Sequence, residues 1–375
     1  MSPPAAIVPR RLDDLVARCR REVDEGRLPG YQLAVGYGGE VVFGEAYGDA
    51  REGQRFHTYS AIKPTVSLTV LELAAEGLID LGAPVASLLD GFAENGKDST
   101  TVSQVLLHAG GFPHAPMSYD VAFDRELRLA RYASWHTTWP PGSAFEYHPT
   151  SAHWVLGDLI EEVTGRPFAD VVTERVMVPA GQPRWLAIPA DEQHDIVDVI
   201  DVGERLDPAD FKEMFGFDMP VTEVTNEGLR AFNRSDVRAL GVPGGGGVTS
   251  ASGFAGWYQA LLHDDGEILR PDVKHDALAV VRQTHLNEFG TSANRTHAFI
   301  LAGDDGRANT RGHGHTTSPG TFGHNGARGQ IAFADPVSGI SLGFMTHGLD
   351  LNDVQSARRT VAISTKAGLL TTPIG

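Results

Sequence analysis

Residues 31–47, Tyr31-Gln32-Leu33-Ala34-Val35-Gly36-Tyr37-Gly38-Gly39-Glu40-Val41-Val42-Phe43-Gly44-Glu45-Ala46-Tyr47, set the architecture. Two runs rich in β-branched and aromatic residues flank the turn-like Gly36-Tyr37-Gly38-Gly39, so the stretch reads as an antiparallel hairpin. Just before it, Leu12, Leu15, Val16, Cys19 and Val23 recur at helical spacing over Leu12–Glu25, closed by Gly26. The far end of the chain carries the same ingredients in the opposite order. His297–Ala302, Gly329–Ala334 and Ile340–Thr346 read as strands, the last two joined by a turn at Asp335-Pro336 and Gly339. A helix over Asp353–Leu369 comes after them.

Between these ends the patterns are helical: Ser67–Glu76, Thr101–Leu107, Ala122–Tyr132, Ser151–Thr164 and Ser252–His263. The acidic stretch of about 190–234 is weakly periodic and takes no assignment. Strands from both ends can therefore share one antiparallel sheet with the terminal helices packed on it. The fold class is α+β, and residues 1–375 form one unit of two lobes. Residues 12–58 and 250–375 make the sheet lobe and 59–249 a mainly helical lobe, with a cleft at the seam. A chain of 375 residues exceeds the roughly 250–300 at which a single core stops growing, which fits two lobes.

The balance of 31 Lys+Arg against 48 Asp+Glu, a formal net charge of -17, repels phosphate backbones and anionic lipid. No nucleic-acid or membrane partner is expected, and no uncharged apolar run reaches spanning length. Met1-Ser2-Pro3-Pro4 lacks the charged start and apolar core of a secretory leader. The single cysteine, Cys19, cannot form an internal disulfide and reads as a packed thiol. A cytoplasmic location is expected; the oligomeric state stays open.

Chemistry enters at Tyr59-Ser60-Ala61-Ile62-Lys63-Pro64-Thr65. Only five lysines occur in the chain, and Lys63 lies three residues after Ser60, so on a helix the two side chains share a face. The pair precedes a long helix, whose unpaired N–H groups favour an oxyanion. A serine needs an adjacent base to act as a nucleophile, and a lysine serves only if its environment lowers its pKa from about 10.4. Two further segments carry weight. Pro140-Pro141-Gly142-Ser143-Ala144-Phe145-Glu146-Tyr147-His148-Pro149 delivers Tyr147 on a rigid loop. Phe322-Gly323-His324-Asn325-Gly326-Ala327-Arg328-Gly329 is a glycine-punctuated edge leading into a strand.

In this order the three segments resemble the serine β-lactamase and penicillin-binding-protein superfamily, and within it the class C β-lactamase-type esterases (family VIII carboxylesterases). Residues 101–113, Gly244–Ser252 and Trp257–Leu262 are similar to stretches at the expected places, so the likeness spans roughly residues 12–370. It implies a β-lactamase/transpeptidase-like fold and a serine hydrolase working through an acyl-enzyme. Ser60 would be acylated, Lys63 would be its base, and Tyr147 would carry the proton to the leaving group. The N–H groups of Ser60 and Ala327 would form the oxyanion hole, and His324, Asn325 and Gly326 would face the substrate. No cofactor or metal ion is implied.

His324 stands where β-lactamases place a lysine. A mostly neutral imidazole is a weaker anion anchor, which shifts the expected substrates from carboxylate-bearing lactams to small neutral acyl esters. Tyr147 is followed by His148-Pro149 rather than by a residue and then Asn, which leaves His148 as the other candidate for the tyrosine's role. An amidase or peptidase, a β-lactamase, an acyltransferase and a catalytically silent binding protein remain alternatives to a carboxylesterase. His313-Gly314-His315 reads as a mobile loop near the cleft rather than a metal site, and His108 and His114 as loop-stabilising residues. Gly244–Gly247 reads as a backbone-lined rim of the cleft. Trp135, Trp139 and Phe145 suit an acyl pocket or core packing equally well.

Overall fold

The computed structural model describes residues 7–219 and 224–371; the amino-terminal Met1–Pro4 reading lies outside them. The strands that build the main sheet are β1 (Gly30–Tyr37), β2 (Glu40–Gly48), β3 (Ile300–Leu301), β4 (Phe322–Gly323), β5 (Ile331–Asp335) and β6 (Ile340–Thr346). Their spatial order is β2-β1-β6-β5-β4-β3, antiparallel throughout. The two ends of the chain meet at β1 and β6, where Tyr31 lies opposite Thr346 and Tyr37 opposite Ile340. Five helices frame the sheet and the site: α1 (Pro9–Asp24), α2 (Lys63–Ala75), α3 (Ser151–Thr164), α4 (Ala251–His263) and α5 (Asp353–Ala367).

Period-two alternation decides which face each side chain joins. Leu33, Val35, Ile331, Phe333, Ile340, Leu342 and Phe344 meet Leu15 and Cys19 of α1 and Ile363 and Ala367 of α5. Cys19 is fully buried there, and burial raises its thiol pKa, so it is inert. Arg359 ties the same layer together, with Nε 2.8 Å from Glu22 and Nη2 2.6 Å from Asp350. Burial alone would raise the Glu22 pKa, but hydrogen bonds from Arg27, Arg359 and Arg18 outweigh it and hold the carboxyl at about 2.

The opposite face is small: Ala34, Ala332, Ala334 and Met345 join Phe254, Ala255, Trp257 and Tyr258 of α4 in the main core. A Cβ at Gly343 would lie 2.1 Å from the Ala251 carbonyl oxygen, so α4 sits on the sheet almost backbone to backbone. Gly343→Ala is expected to cost about 3 kcal/mol, read from urea midpoints. An unchanged midpoint would show that α4 is free to move away.

Helix α2 is buried along its length from Lys63 to Leu73 on every face, polar residues such as Thr65, Ser67 and Thr69 included, as suits a helix enclosed by others. Pro64 lies in its first turn, where a missing N–H costs nothing, so the helix starts at Lys63 rather than at Ser67. Other boundaries also move. The expected Ala122–Tyr132 helix is two, Tyr119–Ala122 and Arg125–Ala133, because Asp124 turns back to cap the second through the Glu126 and Leu127 N–H groups. The expected His297–Ala302 strand shrinks to β3, since the Thr296 hydroxyl accepts from the Ala298 and Phe299 N–H groups and holds a turn.

The unassigned segment contains Ile200–Val202, which pairs in parallel with Gly348–Asp350, and helices Pro208–Phe215 and Asn226–Arg230. It therefore touches the sheet side of the molecule although it belongs to the 59–249 stretch. That stretch begins and ends at one place, where Phe56–His57 pairs with Val248–Thr249. Among the described residues no helix is long and apolar enough to cross a membrane.

Candidate active site

Tyr59 has a φ of 46°, unusual for a residue with a side chain, and it turns the chain into the short helical segment Tyr59–Ile62 that runs on into α2. Ser60 and Lys63 lie on one face, as their spacing requires. Lys63 Nζ is 3.2 Å from Ser60 Oγ, 2.7 Å from the Pro149 carbonyl oxygen and 2.5 Å from that of Gly244. The lysine is 1% exposed and has no carboxylate partner among the described residues. Burial, and then the Arg295 charge, lower its pKa well below the usual lysine range. A neutral amine has two N–H bonds and one lone pair. With both N–H groups given to carbonyls, the lone pair is left for the Ser60 hydroxyl proton.

The carbonyls that hold this amine come from the two glycine- and proline-rich loops. Gly244–Gly247 are fully buried, a floor of the site rather than its rim. A Cβ at Gly244 would sit 3.2 Å from Lys63 Nζ and 3.1 Å from the His153 Cβ, and one at Gly247 2.7 Å from the Thr58 hydroxyl. The loop has no room for side chains because its backbone is the partner.

Tyr147 lies beside the pair, its ring centroid 5.3 Å from Lys63 Nζ. Its hydroxyl is sealed from solvent without a well-formed hydrogen bond. Burial raises its pKa to about 12; the Arg295 charge and the Ser60 hydroxyl pull the other way. The phenol is therefore protonated at working pH.

His148 cannot share the tyrosine's role. Its Nε2 accepts from the Phe112 N–H at 3.2 Å, its Nδ1 donates to the Glu146 carbonyl at 2.6 Å, and the residue is fully buried. Its own N–H donates to His108 Nδ1 at 3.1 Å. It is the pin that fixes Tyr147 on one side and the Pro149 carbonyl on the other, with the His108 ring packed at a tilt, its centroid 4.7 Å from that of the tyrosine. His114 pairs with Glu146 at 2.7 Å.

The third segment closes the site. A Cβ at Gly326 would lie 2.1 Å from the Thr58 carbonyl oxygen, so only glycine lets this edge approach the Ser60 turn. Ala327 opens a short helical turn in which Arg328 has a φ of 60°. Ser60 and Ala327 thus each present an N–H from a first helical turn, where no preceding carbonyl takes it.

His324 faces the site, its ring 6.0 Å from that of Tyr147. With Nδ1 donating to the Asn325 carbonyl at 2.9 Å, Nε2 keeps its lone pair. Burial first, then Arg295, hold its pKa well below the ordinary range, so it is neutral. Asn325 does not face substrate. One residue along an extended edge reverses direction. Its amide donates to the Gly312 carbonyl at 3.2 Å and its oxygen accepts from the Ala332 N–H at 3.3 Å.

His313 is buried with Nε2 3.1 Å from the Ile300 carbonyl, whereas His315 is exposed, so the two rings part. Their segment is tied to α5: the His315 N–H and Thr316 hydroxyl bond to Thr365 at 3.0 and 2.5 Å. Trp135 is core, donating to the Pro116 carbonyl at 3.0 Å.

Sequence reasoning missed Arg295 and His153. Arg295 lies over the Phe145 and Tyr147 rings, its Cζ 5.5 and 5.2 Å from their centroids, and no motif marks it. His153 of α3 is buried with Nε2 3.4 Å from the Ser67 hydroxyl. Its position one turn past Pro149 was the only hint.

Comparison with known proteins agrees with this geometry. The family model described as "Beta-lactamase" matches residues 12–366. The esterase EstB of Burkholderia gladioli is 28% identical over 376 residues, covering 92% of this chain and 91% of EstB. A penicillin-binding protein homologue from Caulobacter crescentus superposes with a TM-score of 0.75 at 23% identity, covering 96% of this chain and 98% of that one. A family VIII carboxylesterase does so at 0.74 and 24%, with 96% and 98% covered. At those identities the two structures speak for the fold alone.

Proposed function

The chain belongs to the Beta-lactamase family and is a serine hydrolase; from that premise we propose that it is a carboxylesterase for small acyl esters, working through an acyl-enzyme on Ser60. The observation that carries this reading is the Lys63 amine, both of whose N–H bonds are committed to the Pro149 and Gly244 carbonyls while its lone pair faces Ser60 Oγ. Similarity to an esterase of comparable length favours esters over amides.

Lys63 takes the Ser60 proton as Oγ attacks the ester carbonyl. The Ser60 and Ala327 N–H groups receive the oxyanion, each worth roughly 3–4 kcal/mol. Tyr147, a neutral phenol, hands its proton to the leaving alkoxide and is reprotonated from Lys63. Water enters by the reverse path. The division at 58/59 and 249/250 into a sheet lobe and a helical lobe, with the site at the seam, belongs to the same proposal. So does a cytoplasmic location, which the single buried cysteine suits.

Turnover of p-nitrophenyl acetate or butyrate tests the reading, and the pH profile tests its mechanism. The base works only unprotonated, so kcat/KM is expected to rise with pH as Lys63 loses its proton. It should then hold level beyond pH 10, because the phenol titrates only at about 12. Nitrocefin turnover exceeding ester turnover would replace the esterase by a β-lactamase. A bell with a basic limb near neutrality would remove the phenol from its assigned state.

A further inference from the structure

Three of the four exposed phenylalanines among the described residues, Phe215, Phe217 and Phe289, gather at one place, with exposed Met214 and Leu286 on the same two segments. Single exposed apolar side chains are ordinary, but a contiguous patch marks a surface that something apolar covers. One segment is a hairpin in which Gln283 lies opposite Arg295 and Leu286 opposite Ser292. Its base rests on the catalytic tyrosine, with Arg295 Cζ 5.2 Å from the Tyr147 ring centroid. Its tip is a fixed turn: Asn287 Oδ1 accepts from the Phe289 and Thr291 N–H groups at 3.1 and 2.9 Å, and the Gly290 N–H donates to the Asn287 carbonyl at 2.9 Å. Phe289, 55% exposed, is therefore displayed in a set direction.

The other segment is the helix Pro208–Phe215. Gly216, with a φ of 80°, ends it and turns Phe217 back onto Phe211, ring centroids 5.5 Å apart. This side of the patch returns to the site at Val224, whose carbonyl oxygen lies 3.5 Å from Nη2 of Arg328, the neighbour of Ala327. Phe217 and Phe289 meet with centroids 6.2 Å apart at 58°. One support stands on Tyr147 and the other beside Ala327, so this contact links two sides of the entrance to Ser60. Rings at that separation attract each other, yet Phe217 keeps 43% of its surface exposed. The pair thus leaves apolar faces wet at the mouth of the cleft, where an apolar part of a substrate would cover them.

We propose that Phe217 and Phe289 form an apolar clamp for the alcohol half of the ester, so that the preferred substrates are small acyl esters of medium-chain alkyl or arylalkyl alcohols. This rests on the acyl-enzyme reading and deepens it. The side follows from the proton: the hairpin stands on Tyr147, which hands its proton to the leaving alkoxide, so the alcohol is the half that lies toward Phe289. From the Arg295 pair to the Leu286 pair the hairpin advances three residues, about 10 Å at roughly 3.3 Å each. An ethyl group stays at the reacting centre, whereas a hexyl chain extends toward the tip.

Ethyl and hexyl acetate test it, because both form the same acetyl-enzyme and differ only in the alcohol. The wild type is expected to favour hexyl acetate in kcat/KM by about tenfold or more, as burial of added methylenes requires. Phe217→Ala and Phe289→Ala should each lower the hexyl-to-ethyl ratio at least fivefold, with Phe289→Leu restoring part of it. Equal losses on both esters, the mark of a clasp that only joins two segments, or an unchanged ratio would overturn the clamp while leaving the hydrolase intact. A loss seen only between p-nitrophenyl acetate and p-nitrophenyl hexanoate would refute the assignment to the alcohol. A wild type that turns over no ester and takes no fluorophosphonate at Ser60 would remove both readings. If the variants fail to fold, the wild type decides: hexyl acetate should exceed 6-hydroxyhexyl acetate, equal in reach but polar at its end, at least fivefold, and equal rates refute the clamp.

Discussion

Ser60→Ala is expected to abolish p-nitrophenyl ester turnover, with kcat falling on the order of 10⁶ when the nucleophile of a concerted unit is removed. The hydroxyl's partners are Lys63 Nζ at 3.2 Å and, more loosely, the Tyr147 phenol, so the variant should fold with an unchanged urea midpoint. Intact-mass spectra after fluorophosphonate treatment give the complementary readout: one adduct on the wild type and none on Ser60→Ala. Comparable turnover by the two proteins, or an adduct that survives the substitution, would place the nucleophile elsewhere.

Lys63 substitutions should come next in size. Lys63→Met removes the base and is expected to cost 10²–10⁴ in kcat. The Pro149 and Gly244 carbonyls then lose a donor, which alone costs about 1–3 kcal/mol of stability per group, so loss of activity needs a companion that keeps those bonds. Lys63→Arg supplies it. An arginine donates to both carbonyls but stays charged, having no lone pair for Ser60. If Lys63 is the base, the arginine variant should be as slow as the methionine variant; if the lysine only braces two loops, arginine should recover most of the rate. Adding either change to Ser60→Ala should cost nothing more, since the two residues act as one unit.

Some of this was legible because it is local. The β1–β2 hairpin, α3 with its Gly165 stop and β6 were predicted to within a residue or two, since turn glycines and alternating or helical periodicity act over neighbouring positions. The Ser60–Lys63 contact is likewise a property of one helical turn. Where a side chain competed with the backbone, as at Asp124 and Thr296, a short-range signal was present but weaker than the apolar pattern around it. Ile200–Val202 was unreadable, because a three-residue strand exists only through its partner at Gly348–Asp350.

By itself the sequence determined the elements whose signals are local, the order of the three segments and the residue types that can attack, accept and donate. It could not determine the state of those groups. Whether Lys63 is an amine or an ammonium depends on burial and on which carbonyls surround it, and these come from residues 86 and 181 positions away in the chain. Asn325 and His324 are neighbours in sequence, yet one serves the scaffold and the other the cleft. The cation at the site comes from Arg295, 29 residues before His324, in a stretch without a motif. Protonation, orientation and unpaired charge depend on distance and dielectric, which are set only when remote segments pack together.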